Sequence, residues 1–184
     1  MKKIVLTFGI ISGCILALMM AIMMPLVMSG TVDLDQSEVV GYTSMVLAFV
    51  MVFVGIRSYR ENIGGGVITF GRAFKVGILI SLIACAFYVV SWQIIYYGFI
   101  PDFETKYAAR VVEKLKAEGA APAQVAAKEQ EMAEFSRWYK NPLVNVGFTF
   151  LEVFPVGLVG TLVSAGILRR KPGSGPASGA TAIA

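Results

Sequence analysis

Charge in this chain is confined to a few blocks, and the stretches between them are apolar over lengths that can cross a bilayer. They cover about residues 4–28, 39–56, 74–99 and 143–168. At about 1.5 Å of rise per residue, even the shortest covers most of the ~30 Å hydrocarbon core. Inside hydrocarbon a backbone must satisfy its own hydrogen bonds, which restricts such stretches to helices. The chain is therefore expected to be an all-α membrane protein with four transmembrane helices. Of its 184 residues, 57% are hydrophobic and only 15% charged, against roughly a quarter charged in a soluble domain. One bundle accounts for residues 1–171.

Several kinds of chemistry are disfavoured. There is no histidine, the commonest acid–base group and metal ligand, and the two cysteines, Cys14 and Cys85, stand alone in apolar runs without a CxxC. No metal site or cofactor is expected. Gly64-Gly65-Gly66 follows no strand and leads to no GK[ST], so it reads as a hinge into a short interfacial helix rather than a phosphate loop. The net charge of +4 is not a nucleic-acid signature, because the basic residues flank the spans. Ile11-Ser12-Gly13-Cys14 has the look of a lipoprotein cleavage site, but the apolar run continues to Met28. Met19, Met20, Met23, Met24 and Met28 lie along the same helix and are read as adaptable packing rather than a Cu(I) path.

Residues 101–140 are polar and rich in Ala, Glu and Lys, with seven acidic and seven basic side chains. Phe103, Tyr107, Val111 and Leu115 recur every fourth position, Gly119 ends that pattern, and Pro122 can start a second helix carrying Val125, Met132, Phe135 and Tyr139. The block is predicted to be a helical hairpin inserted between the third and fourth spans. Asp102 and Glu104 fall at its start, with no base paired to them by sequence. The tail, 172–184, is Pro, Gly, Ser, Ala and Thr with few apolar groups, and is expected to be disordered.

Orientation follows from the positive-inside rule. Lys2, Lys3, Arg57, Arg60, Arg72, Lys75, Arg169, Arg170 and Lys171 fall on one side of a four-span chain, whereas the short loop 29–38 carries Asp33, Asp35 and Glu38 and no base. Both termini are expected in the cytoplasm, with residues 100–141 outside, periplasmic if the membrane is a bacterial inner membrane.

One residue stands against the hydropathy. Glu152 lies nine residues into the fourth span, about 13 Å deep at ~1.5 Å per residue, where a carboxylate costs roughly 2.5–3.5 kcal/mol. Asn141, Asn145, Thr149 and Glu152 fall on one helical stripe, and Tyr88, Ser91, Trp92 and Gln93 on the third span lie at matching depth. Glu152, Thr149 and Asn145 with Tyr88, Ser91, Trp92 and Gln93 form the candidate intramembrane polar site. Pro155 removes a backbone donor three residues later and is expected to break the helix. Trp92, Tyr96 and Tyr97 also suit an aromatic belt at the membrane interface. Small-residue stripes, Gly9/Gly13/Ala17 and Gly77/Ser81, allow close helix approach and are candidate contacts for a homo-oligomer.

Four segments carry a resemblance. Gly65-Gly66-Val-Ile-Thr-Phe-Gly-Arg-Ala-Phe-Lys-Val-Gly77, Tyr-Val-Val-Ser-Trp-Gln-Ile-Ile-Tyr at 88–96, Pro101-Asp102-Phe103 and Phe150-Leu-Glu-Val-Phe-Pro-Val-Gly157 resemble a bacterial family of unknown function, DUF4199, over roughly residues 3–171. The resemblance implies a four-span bacterial inner-membrane protein with a helical insert between the last two spans. It implies no catalytic or binding residues.

Three classes of function remain open. The first is an accessory or interaction protein that binds a protein partner or membrane lipid through the hairpin, 101–140. The second is an oligomeric proton- or cation-coupled transporter or channel using Glu152. The third is an enzyme acting on envelope lipids, for which a nucleophile–base pair is missing from the pattern.

Overall fold

The computed structural model describes residues 1–170, so the tail expected to be disordered lies outside the described residues. Six helices follow one another: α1 (Lys2–Met28), α2 (Leu34–Asn62), α3 (Phe70–Gly98), α4 (Phe103–Ala117), α5 (Pro122–Tyr139) and α6 (Pro142–Leu168). Among the described residues there is no strand, only an isolated bridge between Ile68 and Arg170. Helices α1, α2, α3 and α6 are the ones long and apolar enough to cross a membrane.

The spans extend beyond the apolar runs. Helix α2 starts at Leu34 rather than near Val39, so the second half of the acidic loop is helical. Asp35 in its first turn sits where the partial positive charge of a helix N-terminus favours an acid. The expected interfacial helix after the glycines does not exist as a separate element. Gly65 and Gly66, at φ of 60° and 84°, make the turn, and α3 then runs unbroken from Phe70, where the Thr69 side chain accepts from the Arg72 N–H. Pro155 likewise does not break α6, which is helical from Pro142 to Leu168. A proline costs a helix one hydrogen bond, and in a membrane span neighbouring helices and local adjustment absorb that loss.

The four long helices form a ring in the order α1, α2, α6, α3, with α2 and α3 also touching across it. Antiparallel succession brings the start of α1, the end of α2, the start of α3 and the end of α6 to one end, here the basal end. There Ile68 and Arg170 exchange backbone hydrogen bonds, and Arg60 donates to the Leu168 carbonyl at 3.4 Å.

The basal half is tightly packed. Val52, Ile56, Val76, Ile80 and Val153 are fully buried. The small-residue stripes serve this packing inside the chain. A Cβ added to Gly9 would lie 2.8 Å from Ile83, and one on Gly77 2.8 Å from Thr161. Polar side chains fasten the same contacts: Ser12 donates to the Ala48 carbonyl at 2.9 Å, and the Ser81 and Thr161 hydroxyls lie 3.1 Å apart. The faces read as oligomer contacts, Gly9/Gly13 and Gly77/Ser81, are thus covered by α3 and α6 of the same chain.

Helices α4 and α5 cap the opposite end. They are joined through Gly119 (φ 79°) and lie against each other, and α5 also touches α6. Arg110 of α4 donates to the Val27 carbonyl and, at 2.6 Å, to that of Met28, so a cation meets the partial negative charge at the end of α1. Lys114 pairs with Asp35 at the start of α2.

Candidate functional site

Beneath α4 and α5, the outer half of the ring does not close. A cavity of about 650 Å³ lies there, lined by all six helices. Helix α1 contributes Leu16, Met19, Met20, Met23, Met24 and Val27, and α2 contributes Ser37, Glu38, Gly41, Tyr42, Ser44 and Met45. Tyr88 enters from α3, and Phe148, Thr149 and Glu152 from α6. Phe103 and Tyr107 of α4, with Lys128, Glu131, Met132, Phe135 and Tyr139 of α5, supply the remaining wall.

The long side chains explain why the space exists. Where the basal half has Gly, Ser and Thr at its helix contacts, this half has methionines and rings that hold the backbones apart. Trp92, Tyr96, Tyr139 and Met20 form a second apolar cluster beside the cavity. Trp92 packs edge-on against Phe103, with ring centres 4.8 Å apart. Trp92 and Tyr96 are therefore buried under α4 and α5 rather than forming a membrane-interface belt, whereas Tyr97 is exposed.

The polar residues singled out from sequence separate into two groups. Tyr88 and Glu152 come together: the Tyr88 hydroxyl donates to Glu152 Oε1 at 3.4 Å. Glu152 is accessible on the cavity wall rather than sealed in the core. Asn145 and Gln93 instead pair with each other, Gln93 Nε2 donating to Asn145 Oδ1 at 2.7 Å, and so tie α3 to α6. Thr149 lines the cavity, but its hydroxyl is turned back to the Asn145 carbonyl at 2.8 Å. Neither Ser91 nor Trp92 forms a hydrogen bond to Glu152. Pro155 is on the exposed side of α6.

Two features escaped the sequence reading. The first is the share of α1 and α2 in the cavity. Its only signal was the i, i+4 recurrence Leu16, Met20, Met24 and the Ser37, Gly41, Met45 series. The second is Glu104. Its position in a Glu- and Lys-rich helix suggests a solvated acid, yet it is only 2% exposed. Tyr96 Oη donates to its Oε2 at 3.0 Å, Lys140 Nζ lies 3.8 Å from Oε1, and Ser136 donates to its backbone carbonyl at 3.3 Å. Glu104 thereby joins the end of α3, the start of α4 and the end of α5. Asp102 points elsewhere, to Lys106 at 3.0 Å.

The electrostatics of the cavity are one-sided. Lys128 is paired with Glu131 at 2.8 Å. Glu38 and Glu152 have no cation within 4 Å among the described residues. Burial pushes the Tyr107 phenol above its ordinary pKa, and the carboxylates of Glu38 and Glu152 push it the same way.

A family model described as "Protein of unknown function (DUF4199)" matches residues 7–170. The chain belongs to that family. The DUF4199 match spans all six helices, from the first turns of α1 to the end of α6, and so includes every wall of the cavity. No curated protein and no solved structure gives a significant match to the chain.

Proposed function

We propose that this DUF4199 member is a multi-pass protein of the bacterial inner membrane with both termini in the cytoplasm. In this reading α4 and α5 form a periplasmic hairpin that roofs a binding cavity for a small membrane-soluble amphiphile, and the protein acts as a binding or accessory component rather than an enzyme. The observation that carries it is the cavity itself. Its volume of about 650 Å³ falls within the ~300–1,000 Å³ typical of small-molecule sites, and its walls are mostly apolar with a few polar groups, as such sites are. The basic residues gathered at the basal end and the acidic α1–α2 connection support the orientation. The cavity also refines the reading of the hairpin: its inner face, with Phe103, Tyr107, Phe135 and Tyr139, is turned to the cavity rather than to an outside partner.

Glu152 on the wall of a cavity within the bundle also supports a second reading, cation- or proton-coupled transport. Against it, the basal half is closed beneath the cavity by Phe49 and Val153, both buried, and a path would have to open between them.

Gly41 offers a test. It lines the cavity, and a Cβ placed there meets nothing within 4 Å, so Gly41→Trp adds a large ring at the cavity wall from an unobstructed Cβ. Native mass spectrometry of the full chain released from its own membrane should show a bound small molecule on the wild type and none on Gly41→Trp, at equal yield of folded protein. Identical spectra for the two proteins would refute ligand binding in the cavity.

A further inference from the structure

The cavity has an excess of one sign of charge in a wall of rings, and this bears on what can occupy it. We propose that its ligand is a small organic cation, a positive centre carried on apolar groups, held between Glu152 and the aromatic wall. This rests on the reading of the cavity as a ligand site and adds the charge class to it.

Three observations support the assignment. The first is charge. Of the four charged residues on the wall, Lys128 and Glu131 neutralise each other, leaving Glu38 near the start of α2 and Glu152 deeper on α6. An anion entering this space would face two carboxylates. An apolar uncharged molecule would strip water from both without replacing it, at the cost that attends any desolvated charge. A cation offsets that cost at both carboxylates, whereas an uncharged ligand offsets it only where it brings a hydrogen-bond donor.

The second is the incomplete satisfaction of Glu152. A carboxylate has about four acceptor positions, and the one hydrogen bond Glu152 receives, from Tyr88, is long at 3.4 Å. Its remaining acceptor capacity lies on the cavity wall with no protein cation to meet it. The third is the nature of the walls. Aromatic rings from α2, α3, α4 and α6, namely Tyr42, Tyr88, Phe103 and Phe148, surround the space, and ring faces attract a positive centre by about 0.5–2 kcal/mol each, more as water is excluded. The methionines of α1 add a polarizable surface that adapts to irregular apolar groups. The volume is suited to a drug-sized molecule, and so to a compact cation rather than a whole phospholipid.

The charge assignment can be tested with two ions of matching shape and opposite sign, tetraphenylphosphonium and tetraphenylborate. The full chain in phosphatidylcholine nanodiscs is titrated with each by equilibrium dialysis, with empty nanodiscs as the blank. Saturable binding of the phosphonium at least tenfold tighter than of the borate is expected. Glu152→Gln should weaken phosphonium binding at least tenfold and Glu38→Gln severalfold, with melting temperatures held near the wild-type value; Glu38→Gln decides the matter should Glu152→Gln not fold. Equal affinity for the two ions, or phosphonium binding untouched by the glutamate substitutions that fold, would overturn the charge assignment. The Gly41→Trp protein separates the two levels of the argument. If it loses both ions while the wild type binds them equally, the cavity binds ligands without regard to charge. If it binds both as the wild type does, the cavity reading falls too. A phospholipid retained through purification and not displaced by the phosphonium would also overturn the proposal.

Discussion

The two halves of the bundle are made of the same four helices and differ in almost everything else. In the basal half, Gly9, Gly77 and Gly157 let the backbones approach until an added methyl would collide with a neighbouring side chain, and Ser12, Ser81 and Thr161 place hydrogen bonds across the contacts. In the other half, methionines and aromatic rings keep the helices apart and a cavity opens. Helix association in a bilayer relies on close packing, because lipid tails are as apolar as the side chains they would replace. The basal half meets that requirement alone. The other half opens around the cavity, and is held by the Gln93–Asn145 hydrogen bond between α3 and α6 and by α4 and α5, through Arg110 on the end of α1, Lys114 on Asp35 and Glu104 on Tyr96. Close packing and the cavity thus lie in opposite halves of one bundle.

The largest effect should come from crowding the packed half. A Cβ on Gly157 would lie 2.8 Å from the Phe49 ring and 3.1 Å from Ser81, so Gly157→Leu forces α6 away from both α2 and α3. Overpacking of this kind costs about 3 kcal/mol, and a collapse of the folded fraction by detergent size-exclusion and thermal melting is expected. A Gly157→Leu protein that melts like the wild type would mean that the basal half is as loosely built as the other.

The next effect lies where the cap meets the bundle. Glu104→Ala removes the acceptor of the Tyr96 hydroxyl and leaves that group unpaired beneath α4, a loss of about 1.5–3 kcal/mol for a hydrogen bond to a charged partner. Since Glu104 touches α3, α4 and α5 and no basal residue, the damage should be local. Hydrogen exchange should rise in α4 and α5 while α1 to α3 near the basal end stay protected. Uniform acceleration through all six helices would show that the two halves unfold as one unit.

How much of this was legible from the chain differs between the halves. Four apolar runs placed the long helices, and Pro101, Gly119 and Pro122 placed the ends of α4 and α5 to within a few residues. The stripes of small residues were visible as close-approach surfaces, but a stripe does not name its partner, and Gly9 and Gly77 meet α3 and α6 of their own chain. Asp35 and Glu38 lowered the hydropathy enough to hide the first turn of α2. Pro155 suggested a break because its local cost is certain, whereas the packing that tolerates it is tertiary. Tyr88 meeting Glu152 followed from matched depth on adjacent spans. The cavity did not, since it arises from how far apart bulky residues on four helices hold their backbones. The burial of Glu104 depends in the same way on α5 folding back over it.

The smallest effect should come from Glu152. Glu104 and Glu152 are both carboxylates set among rings, and each receives a tyrosine hydroxyl, at 3.0 Å and 3.4 Å respectively. Their surroundings differ. Glu104 is enclosed and bound to three elements, whereas Glu152 is accessible on the cavity wall with one long contact. If Glu152 served to fix helix register, its loss would cost something near the average interhelical hydrogen bond in a membrane, about 0.6 kcal/mol. Gln at 152 keeps an acceptor for Tyr88 and nearly the same volume, so Glu152→Gln should leave stability within that figure while it weakens binding of a cation. A thermal melt compared directly with Glu104→Ala measures the difference. A drop as large as that of Glu104→Ala would place Glu152 among the groups that hold the bundle together and move the division between the two halves above the cavity floor.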